Sequence, residues 1–289
     1  MARLNVQGLA RQDKQLMSGL KAPPGFTYVS CDLSSGEPTC TAHFSKDKNY
    51  YDATFGMVGK APFYQGNLLK IDDVYLTSAS FNPMTKDKMR EAFNSRYGTL
   101  PFAEQWVIDK EIIKEDAGIK PVRKFNKPLT LGIGYMMGPK KLVTTSYDQG
   151  YIINFKDAKG FHEGYWTTYA GVWKLSKLLE AKYNKDKRLI NPFGYPLFPD
   201  KPYKSLNYYI QSSVSGIVHI IRAKFKAVAP YAVFVTIIHD ELIYLVPTHL
   251  LAAAKTAMKI VEDSLNRDLK WSVNIRIGWK PGQDMYTAH

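Results

Sequence analysis

The stretch Tyr231–Val246, YAVFVTIIHDELIYLV, limits the fold more than any other in the chain. Two apolar, β-branched runs flank His239-Asp240-Glu241. Such a pattern predicts two antiparallel strands with the acid at or near the turn. A carboxylate placed there is held by a rigid sheet and still reaches solvent or a metal ion. An ordinary hairpin with a polar tip shows the same pattern, so this stretch alone leaves both readings open.

A second acid sits in similar company. Phe26–Leu33, FTYVSCDL, predicts a strand ending in Asp32, and Ser34–Ser45 predicts a turn into a helix with Pro38 in its first turn. From Tyr51 to Asn184 the signals are mainly helical, at Thr85–Arg96, Trp106–Ala117 and Thr167–Tyr183. Arg188–Pro202 reads as a loop with a short hairpin around Phe193-Gly194. Tyr203–Val228 is the longest expected helix, with a polar ridge of Asn207, Gln211, Ser215 and His219 beside an apolar stripe. Thr248–Leu265 predicts a further helix, and the alternation over Lys270–Gly278 a half-exposed strand. The ends are therefore α+β and the middle helical, a helical subdomain inserted into a sheet-based one.

Composition narrows the function class. An apolar fraction of 45% with 13% aromatics excludes disorder. No run approaches the ~18 apolar residues of a membrane span, and Met1–Leu20 lacks the apolar core of a signal peptide. Cys31 and Cys40 form no metal-binding array and read as reduced, buried thiols of a cytoplasmic protein. The formal charge of +13 suits a protein that neutralises phosphates, although a basic surface without such a partner has the same sum.

Asp32 and Asp240 are the candidate metal ligands. Two carboxylates from different strands can hold a pair of divalent ions, and such a pair stabilises both oxygens of a phosphoryl transfer. Between them, Arg123, Lys127, Leu131 and Tyr135 recur at four-residue steps, so a helix sets them in one row. Cations, an apolar residue and an aromatic ring make a surface for a nucleoside triphosphate, and equally the flank of an amphipathic helix. Pro128 inside that helix would cost roughly 3 kcal/mol. The spacing instead predicts a helix that starts with Asn126 as cap, with Arg123 preceding it.

In order, these pieces resemble the polymerase region of family A DNA polymerases. The family's D-Y-S-Q-I-E-L-R and A-H-L-S correspond to Asp32–Thr39 and Ala42–Ser45, its R-x3-K-x7-Y to Arg123, Lys127 and Tyr135, and its H-D-E to His239-Asp240-Glu241. Asn207 and Gln211 match the N-x3-Q of the helix at the primer–template minor groove. Asn5-Val6-Gln7 and the terminal Ala288-His289 also match.

The resemblance implies a right-hand palm with an antiparallel sheet and an inserted helical fingers subdomain, without a thumb. Its boundaries fall at 1–60 and 186–289 for the palm and 61–185 for the fingers. It implies template-directed synthesis from dNTPs, with Asp32 and Asp240 holding two Mg²⁺ ions (Mn²⁺ being the alternative). Arg123 and Lys127 would grip the triphosphate, and Tyr75 belongs to the same substrate-binding set. Tyr135 would close over the templating position, and Glu37 would exclude the ribose 2′-hydroxyl. Asn207 and Gln211 would test the primer–template duplex, and His239 and Glu241 would support the primer end.

Leu131 stands where the family has Phe or Tyr beside the sugar, which implies altered sugar discrimination; Gly36 and Thr39 replace Ile and Arg. The expectation is the polymerase part of a split enzyme in the cytoplasm, of the host if viral. Its partners would be primer–template DNA, dNTPs and a second polypeptide carrying thumb and 3′–5′ exonuclease, with no membrane. A single-subunit RNA polymerase and a non-catalytic nucleic-acid-binding subunit are the competing readings. Glu37 and Glu241 speak against the first, and the retained Asp32, Lys127, Tyr135 and Asp240 against the second.

Overall fold

In the computed structural model, residues 14–55, 64–65, 68–69, 73–97, 115–148 and 150–288 are described. Asn5-Val6-Gln7, His289 and residues 106–114 of the expected Trp106–Ala117 helix lie outside them. The chain divides into two compact units, one made of Met1–Thr39 with Gln211–His289, the other of Cys40–Ile210.

The first unit is built on an antiparallel sheet of four strands in the order β6-β7-β1-β8. These are β1 (Phe26–Asp32), β6 (Val233–Ile238), β7 (Glu241–Pro247) and β8 (Lys280–Gly282). The central strands β1 and β7 are buried along nearly their whole length. Covering both faces of a sheet requires continuous apolar runs, and that is why these strands do not alternate with polar residues. Tyr28, Ile238 and Ile243 form a cluster with Met17 of α1 (Lys14–Gly19) and with Met285 and Ala288 of α12 (Met285–Ala288). Tyr244, pointing to the other face, stacks edge-on with Phe225 at 4.8 Å between ring centres.

Residues 270–278 depart from the expected strand. Their alternation survives as burial of Val273 and Ile275, but only an isolated bridge, Leu33 to Ile277, pairs them with a strand. The backbone of Ile275 is instead bonded at both ends by the Asn266 side chain, and the Ile277 N–H donates to Glu262. Side chains of helix α11 (Leu251–Leu269) thus take the polar groups that a neighbouring strand would otherwise satisfy.

The second unit is mainly helical, with two short hairpins, β2–β3 (Tyr64–Gln65, Leu68–Leu69) and β4–β5 (Leu189–Ile190, Pro196–Leu197). Helix α4 (Val74–Phe81) is buried from Val74 to Ser80. Leu76 and Ala79 pack with Met89 and Phe93 of α5 (Lys86–Tyr97) and with Ile119 and Val122 of α6 (Ile119–Gly134). The expected helix Thr167–Tyr183 is divided. Helix α8 (Phe155–Thr168) ends at Tyr169, and α9 (Ala170–Asp186) begins after it. Tyr169 is fully buried edge-on against Tyr50 and Tyr165, and this ring packing decides where the chain turns.

The start of α6 is also corrected. It begins at Ile119, behind Asp116, whose carboxylate accepts from the N–H groups of Gly118 and Ile119, so Arg123 lies inside the helix and Pro128 in its interior. Asn126 is no cap. Its amide donates to the Val122 carbonyl and the Thr85 hydroxyl, and its oxygen accepts from Asn82 at 2.7 Å. This buried network and the stripe Val122, Phe125, Leu129 and Ile133 outweigh the lost bond to Lys124, which single-helix propensity could not anticipate.

Candidate active site

In the first unit, the ladder fixes the acids. Asp32 at the end of β1 pairs with Glu241 at the start of β7, and Ile238 pairs with Glu241 across the hairpin, leaving His239-Asp240 as a two-residue loop. His239 has φ +58°, the left-handed region that primed hairpin turns require. One register step beyond the Asp32–Glu241 pair, the Leu33 N–H donates to the Asp240 carbonyl at 3.3 Å. Asp32 and Asp240 therefore stand at the adjoining ends of neighbouring strands, the first exposed and the second half-buried.

The remaining residues of this group have different surroundings. Glu241 is 3% exposed and accepts a hydrogen bond from Ser30, two residues before Asp32 on the same face of β1. That charge, after burial itself, pushes the Cys31 thiol well above its ordinary range. Glu37 lies in the first turn of α2 (Gly36–Ser45) and is half-buried. A Cβ built at Gly36 would lie 3.5 Å from the Asp240 carboxylate and 3.3 Å from the Leu33 Cβ. A larger residue here would press on the acid.

In the second unit, Arg123, Lys127 and Leu131 lie along α6, with Tyr135 at its C-cap. Lys127 is exposed, while Arg123, Leu131 and Tyr135 are half-buried. Tyr75, at the start of α4, lies beneath both cations: the Arg123 guanidinium carbon is 5.2 Å and the Lys127 ammonium 5.7 Å from its ring centre. Asp73, which is not among the residues expected from the motifs, is the N-cap of α4 and the partner of Arg123. An acid directly before an apolar helix is an N-cap signal, and it could have drawn attention to this residue.

Asn207 and Gln211 fall one turn apart on α10 (Ser205–Val228), with Gln211 exposed. The Asn207 side-chain oxygen is buried and has no hydrogen-bond partner among the described residues. Several buried hydroxyls, among them those of Ser205 and Tyr244, share this condition, so the oxygen is open to a donor from water or from a further molecule.

Among the described residues, His, Cys, Asp and Glu nowhere gather in groups of three suited to a metal ion. The donor set at Asp32 and Asp240 is of another kind. Two carboxylates at adjoining strand ends, one exposed and one half-buried, could hold Mg²⁺, which retains several waters and takes one or two carboxylates together with substrate phosphates.

The sequence is 33% identical over 99 residues to a DNA polymerase of Mycobacterium phage L5, a match covering 33% of this chain and 16% of that protein. It is 30% identical over 140 residues to a DNA polymerase of Mycobacterium phage D29, covering 47% of this chain and 21% of that protein. No family model matches the sequence. Among solved structures, the POL domain of Pol1 from M. smegmatis, in complex with DNA primer-template and dNTP, superposes with a TM-score of 0.70 at 17% identity. The chain has a DNA polymerase fold. The likeness covers 99% of this chain, and so extends over both units, and 45% of the solved polymerase chain. No described helix is long and apolar enough to cross a membrane.

Proposed function

We propose that this chain is the palm and fingers part of a family A DNA polymerase, adding dNTPs to a primer 3′-hydroxyl under the direction of a template. The observation that carries the proposal is the ladder register, which brings Asp32 and Asp240 to adjoining strand ends within a polymerase fold. The palm is read as residues 1–60 and 186–289 and the fingers as 61–185, whereas the compact units divide the chain after Thr39 and Ile210.

In this reading Asp32 and Asp240 hold two Mg²⁺ ions, which when bound supply charge stabilisation for the attacking and leaving oxygens. Lys127 and Arg123 meet the triphosphate as exposed and half-buried cations, with Tyr75 and Leu131 beside them. Tyr135 covers the templating position and Glu37 screens the 2′ position of the sugar. The unsatisfied oxygen of Asn207 and the exposed amide of Gln211 suit donors and acceptors in the minor groove of the primer–template. His239 meets the primer end from the exposed turn, and Glu241 supports that turn from within through Ser30. The reading adds a second polypeptide carrying thumb and 3′–5′ exonuclease, in the host cytoplasm of a phage infection; a match to 45% of the solved polymerase chain leaves room for such a partner.

The test is extension of a primed DNA template by the purified chain with Mg²⁺, comparing dNTPs with rNTPs. Preferential dNTP incorporation supports the proposal. Preferential rNTP incorporation replaces it with an RNA polymerase, and DNA binding without extension of any kind replaces it with a non-catalytic subunit. Processive extension by the chain alone removes the partner.

A further inference from the structure

Among the described residues, Arg123 is the one cation of the α6 row that is already engaged by a carboxylate. Its Nε and Nη2 both lie 2.9 Å from Oδ2 of Asp73. The other oxygen of Asp73 is committed as well. Oδ1 accepts from the N–H groups of Tyr75 and Leu76, each at 3.0 Å, and so caps α4. The Asp73 side chain is 4% exposed and that of Arg123 24%. One buried carboxylate thus ties down both the backbone of Tyr75 and the guanidinium lying over its ring.

The guanidinium fork makes this arrangement directional. Contact through Nε and Nη2 fixes the plane of the group and leaves its Nη1 edge for a second acceptor. A lysine could make no such double engagement, because its ammonium is a single point of charge.

We infer that Asp73 is a positioning residue for nucleotide binding: it orients Arg123 by one edge so that the other edge meets a phosphate of the incoming nucleotide. The inference rests on the reading of α6 as the triphosphate surface. Asp73 itself touches no phosphate. Its like charge would repel one, and its contribution comes from removing the rotational freedom of Arg123 before the nucleotide arrives.

The test is calorimetric titration of the full chain with dATP and Mg²⁺, for wild type, Asp73→Asn, Asp73→Ser, Arg123→Ala, Arg123→Lys and the double variant Asp73→Asn/Arg123→Ala. Asn and Ser both keep a capping oxygen for α4, and Asn turns the face toward Arg123 from acceptor to donor. The expected result is a dissociation constant raised about tenfold or more by Asp73→Asn, as loss of a charge-assisted contact gives. Arg123→Lys and Arg123→Ala fall together, and Asp73→Asn has no further effect in the Arg123→Ala background. Unchanged or tighter binding in both Asp73→Asn and Asp73→Ser, or additive effects in the double variant, overturns the inference while Arg123→Ala still reports on the triphosphate surface. If Arg123→Ala binds like wild type, or wild type binds no dATP, the underlying reading falls and the inference with it. A variant that loses its cooperative melt is set aside for the other capping variant, which then decides.

Discussion

Asp32 and Glu241 face each other across the β1–β7 ladder, yet one carboxylate is exposed and the other is buried against Ser30. Antiparallel partners share a face of the sheet and a level along it, so the difference comes from their other neighbours: Glu241 lies between β1 and Ile238 of β6, whereas Asp32 has Gly278, without a side chain, beside it. Glu241 is thereby committed to the protein, and Asp240, one step into the turn, is the acid that the proposed function pairs with Asp32.

Neutralising either acid should leave the fold intact and remove the chemistry. Asp32→Asn and Asp240→Asn are each expected to slow single-nucleotide extension by at least about a thousandfold, the several kcal/mol that bound divalent ions supply. Their melting temperatures should stay near that of the wild type. Extension at the wild-type rate by Asp240→Asn would end the catalytic reading.

Glu241 should show the opposite profile. Glu241→Ala strands the buried Ser30 hydroxyl and is expected to cost about 1–3 kcal/mol in urea unfolding. Glu241→Gln keeps an acceptor for Ser30 and should cost clearly less. Equal losses for the two variants would show that the hydrogen bond to Ser30 contributes nothing.

His239 carries a backbone conformation that suits glycine better. His239→Gly is expected to raise the unfolding free energy by up to about 1 kcal/mol, and His239→Val to lower it by about 1–2 kcal/mol, the scale of the left-handed penalty for a residue with a Cβ. If the imidazole supports the primer end, His239→Gly extends primers more slowly in spite of its greater stability. Measuring both quantities on one preparation separates strain from function.

Pro128 leaves the Lys124 carbonyl without its usual helical donor. Pro128→Ala restores that bond and should stabilise α6 by about 1–2 kcal/mol, after allowing for the freer unfolded chain. Slower hydrogen exchange of the α6 amides would register the gain, and unchanged exchange would show that the helix had already adapted fully.

The ends of the first unit should loosen in acid. A hydrogen bond from Lys21, together with bonds from Thr287, lowers the Asp284 carboxyl from 3.8 to about 2. The folded state favours the charged form, so the stabilisation is complete above the ordinary carboxylate value and disappears as pH falls through about 2. Asp284→Asn should therefore melt below the wild type at pH 6, and the gap should close between about pH 4 and pH 2. A gap that persists at the acid end would assign it to packing.

The local elements were largely legible. Apolar β-branched runs predicted β1 and the β6–β7 hairpin, the proline and glycine of Arg188–Pro202 predicted the small hairpin, and four-residue steps predicted the exposed Gln211, Ser215 and His219 ridge of α10. The order of short motifs also pointed to a polymerase, because the identities that carry it lie in the sequence itself. Where a segment begins, bends or finds its partner was decided elsewhere. Asn126, a plausible cap by spacing, is drawn into a buried network with Asn82 and Thr85; Tyr169 breaks a helix because rings from other helices enclose it; Ile275 and Ile277 bond to helix side chains where a strand was expected. The sequence by itself determined which residues have the chemistry, since a carboxylate or guanidinium is fixed by its identity. Only the tertiary structure decided that Asp240 adjoins Asp32, that Glu241 serves Ser30, and that Arg123 rests on Asp73, because each pairing closes a loop of chain whose ends carry no local signal of each other.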